Sequence, residues 1–206
     1  MATTSLPNSQ QLDWTGNALL VTDLDASGSL FVGGVEFAGA DLTYVNSLTA
    51  TADEVNRVAD VSGRVVSATG ATLTVTEALH DSKTILLSRA GGIAITLPAA
   101  TASGMRLRFV VGTVSTTGYV ISSVAGTDLM EGIIIGASTT DSATDAARTW
   151  LSGATDDTIT LNGTTTGGAA VGDWIELEDL SATGWYVRGM VTQSGTEATP
   201  FSDAVA

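Results

Sequence analysis

Short runs in which apolar and polar residues alternate cover much of the chain. A period of two is typical of strands that bury one face. The segment 173–178 is the clearest case, because Ile175 and Leu177 share one face while Glu176 and Glu178 share the other. The pattern predicts strands at residues 64–68, 72–76, 84–88, 93–97, 107–114, 119–124, 132–135, 158–161, 173–178 and 185–192.

Turn-forming dipeptides that end in glycine separate these runs, and polar loops are expected at 139–148 and 163–171. Many short strands joined by glycine-rich turns are typical of β-sandwiches and barrels. We therefore expect a mainly β protein in which residues 63–206 form an antiparallel sandwich-like or barrel-like domain. No internal repeat is regular enough to predict a solenoid, and the tail 193–206 has an irregular pattern.

The N-terminal part of the chain has a different pattern. Residues 1–18 are polar and irregular, which predicts an extended arm that a partner would order. Trp14 is an aromatic exception in this arm, and it fits either a pocket of a partner or a contact with its own domain. Strand-like runs at 19–22, 30–32 and 35–37 follow, and the last two predict a small hairpin unit.

Residues 48–62 have the pattern of a short α-helix. Thr51 is a suitable N-cap, and Glu54, three residues later, completes a capping box. Gly63 is placed as a glycine that ends a helix. The sequence therefore predicts one helix of about three turns between the arm and the β-domain.

The apolar stripe of this helix consists of Val55, Val58 and Ala59, at the i, i+3, i+4 spacing of one helical face. A helix this short is marginal alone, so the stripe must be buried. Two partners fit, namely the β-domain that follows and the same helix in neighbouring copies.

The chain has 22 acidic and 8 basic side chains and a formal net charge of −14. This charge argues against binding to the phosphate backbone of nucleic acids and to anionic membranes. Residues 64–127 differ from the rest, because they hold two acids and five basic residues. Chance variation on an acidic surface explains this distribution, and so does a contact of the segment with an acidic surface of a neighbour or of a scaffold. Cysteine is absent, so disulfides and thiolate metal sites are excluded. We also expect no membrane span and no secretory signal.

The pattern Asp23-x-Asp25-x-Ser27-Gly28 matches the start of a calcium-binding loop. Such a loop needs a bidentate glutamate at its twelfth position, where this chain has Gly34. The segment is therefore interpreted as an acidic turn, and we expect no metal and no cofactor.

His80, Asp81 and Ser82 are the three residue types of a hydrolase triad, but they are adjacent in the sequence. A triad needs side chains from separated elements that converge, so these three are interpreted as turn residues. His80 is also the only histidine, which argues against a histidine metal site within one chain.

Paired carboxylates occur at Asp156-Asp157 and at Glu176 and Glu178. Glycosidases place two carboxylates across a sugar, but a solvated surface explains these pairs more simply. Aromatic residues of the second half fit either a sugar-stacking platform or the core and a subunit interface; they are Trp150, Trp174, Trp185 and Tyr186. No catalytic residue is predicted.

The helical segment also resembles the Leu-Thr-Ala-x-Glu-Leu-Asn-x-Leu stretch of many tailed-phage virion proteins. The matching residues are Leu48, Thr49, Ala50, Glu54, Val55, Asn56 and Val58, with three residues instead of one between Ala50 and Glu54. The region 85–201 resembles the β-domains of phage head-decoration and fibre proteins. The similar segments are 92–98, 109–113, 172–177 and 184–189.

The resemblance implies a virion structural protein without enzymatic activity. In such a protein an N-terminal attachment region, here residues 1–47, is joined by a linker helix, 48–62, to a β-rich outer domain, 63–206. The first hypothesis is a head-decoration (cement) protein, a homotrimer that binds the major capsid protein on the outer surface of the capsid. The alternatives are a tail fibre or spike segment that binds a host glycan, and a polysaccharide-degrading enzyme.

Two sets of residues follow from this hypothesis. The residues expected to attach to the capsid are Trp14, Leu19, Leu20 and Val21, since apolar side chains in a polar arm fit a partner's surface. The residues expected at the homotrimer interface are Val55, Val58 and Ala59. No partner nucleic acid or membrane is expected.

Overall fold

The computed structural model describes residues 30–32, 35–37, 63–139 and 147–205. The chain divides into two compact units, Met1–Arg57 and Val58–Ala206. The predicted helix at 48–62 and the predicted calcium-loop turn lie outside the described residues. So do the individual residues predicted for attachment and for the trimer interface, Trp14, Leu19, Leu20, Val21, Val55, Val58 and Ala59.

The first unit contains the predicted hairpin. Its strands are β1 (Leu30–Val32) and β2 (Val35–Phe37), which pair antiparallel. Leu30 is opposite Phe37 in the register, and Val32 is opposite Val35. The hairpin prediction is confirmed.

The described part of the second unit contains one short helix and twelve strands, and all ten strands that the sequence predicted are present. In chain order the elements are β3 (Val65–Ala68), β4 (Thr72–Thr74), α1 (Glu77–His80), β5 (Lys83–Leu87), β6 (Ile93–Thr96), β7 (Arg106–Val111), β8 (Tyr119–Ser122), β9 (Leu129–Ser138), β10 (Arg148–Leu151), β11 (Thr158–Leu161), β12 (Trp174–Ser181), β13 (Gly184–Gln193) and β14 (Phe201–Ser202).

The strands of this unit form two sheets. The seven-stranded sheet has the order β10-β9-β13-β12-β7-β5-β3, and the five-stranded sheet has the order β14-β11-β8-β6-β4. Side chains from both sheets belong to a single buried core. The mainly β fold that the sequence predicted is therefore confirmed, and its strands form two sheets.

The chain alternates between the sheets from β3 to β8. Strands β3, β5 and β7 pair in parallel in the large sheet, and β4, β6 and β8 pair in parallel in the small one. This half of the unit is a coil of three turns, each of which adds one strand to each sheet. Val65, Thr84 and Arg108 are in register on successive turns but unequally spaced in the sequence, so no repeat was detectable.

Both sheets are mixed, which corrects the expectation of an antiparallel domain. Strand β13 also pairs in parallel with β9, whereas β12 pairs antiparallel with β7 and β13. A one-sided strand has the same alternating pattern in parallel and antiparallel sheets, so the pattern could not distinguish the two.

Alternation places the core on one side of each strand. In β7, Leu107, Phe109 and Val111 are buried, whereas Arg106 and Arg108 are exposed on the opposite face. Fully buried aromatic and aliphatic side chains of both sheets fill the interior, among them Phe109, Tyr119, Ile121, Leu177 and Trp185. Truncation of one such aromatic ring to alanine costs about 3–5 kcal/mol.

Three described elements were not predicted. Strand β10 begins at Arg148, at the end of a segment interpreted as a polar loop, and β14 lies in the tail interpreted as irregular. Helix α1 is a single turn that ends at His80, and Asp81 and Ser82 follow it as turn residues, as expected. The Nδ1 atom of His80 lies 3.0 Å from the backbone N of Thr76 and 3.1 Å from its carbonyl oxygen.

Candidate functional site

The outer face of the seven-stranded sheet is the side that points away from the core. One row of side chains crosses six of its strands in register. Its three charged members alternate in sign, and its last two members are apolar. From β5 to β10 this charged row is Thr84, Arg108, Glu176, Arg188, Ile133 and Leu151.

An apolar row lies two residues further along the strands. From β5 to β9 it consists of Leu86, Val110, Trp174, Met190 and Ile135. Met190 is 53% exposed and Ile135 is 39% exposed, while the first three are half-buried. Side chains directly opposite on adjacent strands are about 5 Å apart, so this row is a continuous apolar strip.

Ion pairs within the face neutralise most of its charge. The Arg106 guanidinium contacts the carboxylate of Glu178, with an Nε–Oε1 distance of 2.6 Å. Arg188 lies 3.8 Å from an oxygen of Glu176 and 3.6 Å from the second oxygen of Glu178. Exposed pairs of this kind contribute about 0.2–1 kcal/mol each, so their main effect is on local charge.

Arg108 is paired in a different way. Its guanidinium carbon lies 4.9 Å from the centroid of the Trp174 ring, which is the geometry of a cation–π contact. This contact joins the charged row to the apolar row.

Two grooves lie side by side on this face. One has a volume of about 250 Å³, and its lining includes Glu131, Tyr186 and Arg188. The other has a volume of about 330 Å³, and its lining includes Lys83 and Arg106. Glu176 lines both grooves. The face therefore offers apolar, cationic and anionic groups within one continuous surface.

Buried carboxylates elsewhere in the unit are engaged by the protein itself. Asp179 accepts hydrogen bonds from the backbone N–H groups of Thr101, Ala102 and Ser103 at 2.9–3.2 Å. Burial alone raises the pKa of Asp179, but the hydrogen bonds from Ser103, Thr101 and Ala102 outweigh it, and the pKa is lowered. This carboxylate holds the loop between β6 and β7 onto β12.

Asp173 also accepts hydrogen bonds within the protein, but its pKa is shifted in the opposite direction from that of Asp179. It accepts hydrogen bonds from the backbone N–H of Thr192 at 2.7 Å and from the Thr192 hydroxyl at 2.8 Å. Burial raises the pKa of Asp173, and these hydrogen bonds only partly offset it.

Two further buried carboxylates hold loops. Asp157 accepts from the backbone N–H groups of Ala204 and Val205, at 2.9 and 3.1 Å, and so holds the C-terminal segment. Asp128 accepts from the N–H of Ala100 at 3.1 Å. In both cases the partners are backbone donors, which explains why these acids are buried.

The candidate aromatic platform is not assembled. Trp185 is fully buried in the core, and Trp150 is half-buried and donates from Nε1 to the Gln193 side-chain oxygen at 2.9 Å. Trp174 and Tyr186 lie on the outer face, but four positions apart in the register of β12 and β13, since Tyr186 pairs with Glu178.

The two candidate carboxylate pairs do not form a site together either. Glu176 and Glu178 both lie on the outer face, where arginines pair with them, whereas Asp157 is buried and its neighbour Asp156 accepts from the N–H of Gly153 at 2.6 Å. In residues 63–139 and 147–205, no group of three or more His, Cys, Asp or Glu side chains is arranged to hold a metal ion.

The sequence shows the apolar residues of the outer face only as members of separate strand segments. Met190, Ile135, Ile133 and Leu151 come from three strands, and only the register brings them together. The alternation within each strand could have indicated their face, but it could not have indicated their neighbours.

Comparisons with known protein families, curated proteins and solved structures found no match. Among the described residues, no helix has both the length and the apolar character needed to cross a bilayer. The role of the chain therefore has to be inferred from this surface and from the resemblance in its sequence.

Proposed function

We propose that this chain is a non-enzymatic structural protein of a tailed-phage virion that decorates the outer surface of the capsid as a homotrimer. Its main partner is the major capsid protein, and it requires no cofactor, nucleic acid or membrane. Residues 1–47 attach to the capsid, with Trp14, Leu19, Leu20 and Val21 as anchors. The predicted helix at 48–62 is the linker to the outer β-domain, and Val55, Val58 and Ala59 are its contacts between copies.

The observation that carries this proposal is the concentration of exposed apolar side chains on one sheet face. Surfaces of this kind are typical of proteins that assemble with other proteins. The four buried carboxylates described above are bound by backbone groups, which is a structural use of acidic residues. The resemblance of residues 48–58 and 85–201 to virion proteins then favours the capsid as the assembly.

A second function, a tail fibre or spike segment that binds a host glycan, is favoured by one observation. Tyr186 is 45% exposed in the groove that Glu131, Glu176 and Arg188 also line. An aromatic ring beside charged hydrogen-bonding groups is a common arrangement for binding a sugar.

Gold-labelled antibodies against the purified protein, applied to the intact virions that contain it, distinguish these roles. Labelling over the whole head supports decoration, and labelling of tail tips supports the fibre alternative. Pre-immune serum is the control. Labelling of neither structure would contradict both proposals.

The anchor is tested separately, by binding of purified full-length and truncated protein to capsids stripped of it. Deletion of residues 1–18 is expected to weaken binding, because it removes Trp14 and the polar arm. If the truncated protein coats capsids with unchanged affinity, these residues are not the anchor.

A further inference from the structure

Exposed apolar side chains are unevenly distributed over the second unit. Of the ten large ones that the described residues expose, seven lie on the outer face of the seven-stranded sheet. The seven are Val65, Ile133, Ile135, Leu151, Leu180, Tyr186 and Met190. The other three are dispersed, since Leu79 is in α1, Val124 follows β8 and Val171 is in a loop.

The apolar side chains are densest at one end of the sheet. Met190 on β13 is next to Ile135 on β9, and Ile133, two residues away on β9, is next to Leu151 on β10. Leu151 is 73% exposed although it is directly opposite Ile133. This apolar cluster of four residues is continuous with the apolar row through Trp174.

The charges of the face are suited to a copy of the same face. Arg108, Glu176 and Arg188 are in register on three adjacent strands, so the sign alternates from strand to strand. A second copy displaced by one strand places arginine opposite glutamate. Only charges within about 8–10 Å matter at physiological salt, so the chain's net charge of −14 does not prevent this contact where the local charge is balanced.

The size of the face also fits such a contact. Six spacings of about 4.8 Å give a width of roughly 29 Å, and the six to ten residues of the central strands extend over roughly 20–33 Å. The face therefore offers on the order of 600–900 Å², close to the roughly 800 Å² that each partner buries in a stable complex.

We propose that the outer face of the seven-stranded sheet is the contact between copies of this chain, and that the apolar cluster of Met190, Ile135, Ile133 and Leu151 lies within this contact. This inference rests on the proposed function only in that both require copies of the chain to associate. The inference places a contact between copies in the β-domain. This contact is additional to the one predicted for the apolar stripe of the helix.

Analytical ultracentrifugation of the full chain at micromolar concentration tests the contact. A face that contacts a copy of itself closes as a pair, so this contact alone is expected to double the 20.8 kDa mass of one chain, and a further contact through the predicted helix would raise the mass above that of a pair. Met190→Asp and Leu151→Asp are each expected to raise the dissociation constant at least about tenfold, because the contact would bury an unpaired charge. Both side chains are more than half exposed, so these changes should leave the fold intact.

Val124→Asp and Val171→Asp are the matched controls. These valines are 52% and 68% exposed and lie off the outer face, so both variants should associate like the wild type. Far-UV circular dichroism and thermal melting of all four variants check that each one folds. Equal dissociation of the controls would show that added negative charge, rather than this face, controls assembly.

Three outcomes overturn the proposal: a wild-type mass of one chain, unchanged association of both face variants, or dissociation by the controls as well. A fifth variant, Val58→Asp, sharpens the second of these outcomes: if it dissociates the protein while both face variants associate like the wild type, the contact lies in the predicted helix. A wild-type mass of two chains that Met190→Asp reduces to one supports the face and contradicts only the trimer. The proposal of capsid decoration is tested independently, by the antibody labelling of virions.

Discussion

The phenol oxygen of Tyr119 lies 2.6 Å from the carbonyl oxygen of Thr113, and the Tyr119 hydroxyl donates its hydrogen to that carbonyl. Tyr119 is on β8 of the small sheet, whereas Thr113 follows β7 of the large sheet, so this bond joins the two sheets. The backbone N–H of Arg89 donates to the same phenol oxygen at 3.3 Å. Both partners lose a bond if the hydroxyl is removed.

Tyr119→Phe should therefore destabilise the protein by about 1–3 kcal/mol, the usual cost of leaving buried backbone groups without partners. Urea unfolding followed by circular dichroism measures this difference. Tyr186→Phe is the control, since Tyr186 is on the outer face and 45% exposed, and it should change stability by less than about 0.5 kcal/mol. Equal losses for the two variants would contradict the role of the Tyr119 hydroxyl.

Asp179→Asn should destabilise the protein by about 2–3 kcal/mol at neutral pH, because an amide NH₂ would face backbone N–H donors. The pKa of Asp179 is lowered in the folded state, so its contribution is present above the unfolded value of about 3.9 and is lost as the pH falls through the folded pKa. Urea unfolding of both proteins between about pH 7 and pH 2 should show the two stabilities converging in acid. A constant difference across this range would count against the charged hydrogen bonds.

Asp173→Asn should have a much smaller effect, within about 1 kcal/mol of the wild type at neutral pH. Burial raises the pKa of Asp173, so its contribution is full in acid and is lost as the pH rises through the folded pKa. Asparagine avoids this loss, and it can accept from the N–H of Thr192 and donate to its hydroxyl. The same unfolding series compares the losses of stability of the two variants. An equal loss for Asp173→Asn and Asp179→Asn would contradict this prediction.

Gln193→Glu should destabilise the protein by about 3 kcal/mol or more, although the two side chains have the same shape. Gln193 is fully buried, and its NH₂ group donates to the carbonyl oxygens of Thr165 and Ala198 at 2.6 and 2.8 Å. A glutamate would bring a charged oxygen against both carbonyls.

Gln193→Met is the control for that variant, since it removes the same hydrogen bonds without adding charge. It should cost about 1–3 kcal/mol, and thermal melting at neutral pH compares the two. If glutamate is tolerated better than methionine, the assigned orientation of the amide is wrong.

The strands were predictable because each one buries a single face. In β12, the sequence placed Ile175 and Leu177 opposite Glu176 and Glu178, and the structure has the same division. Pairing was not predictable, because alternation within a strand contains no information about which strand is adjacent or in which direction it runs. The outer face depends on that pairing, and so it could not be predicted.

The buried carboxylates were also missed for a physical reason. Aspartate is usually exposed, so Asp157, Asp173 and Asp179 have the sequence pattern of surface acids. Most of their partners are backbone N–H groups, and those of Asp179 are more than seventy residues away in the sequence. Every residue except proline has such a donor, so no sequence motif marks the partner.

The three-turn coil makes the size of this unit adjustable. Each turn lengthens both sheets by one strand, and the first turn, β3 with β4, forms one edge of each sheet beside β5 and β6. A homologous chain could gain or lose a turn at this end by insertion or deletion of one segment, without changing the strands from β9 onward. Variation in length among descendants of this fold should therefore occur in whole turns of the coil and should leave the apolar cluster on β9, β10 and β13 in place.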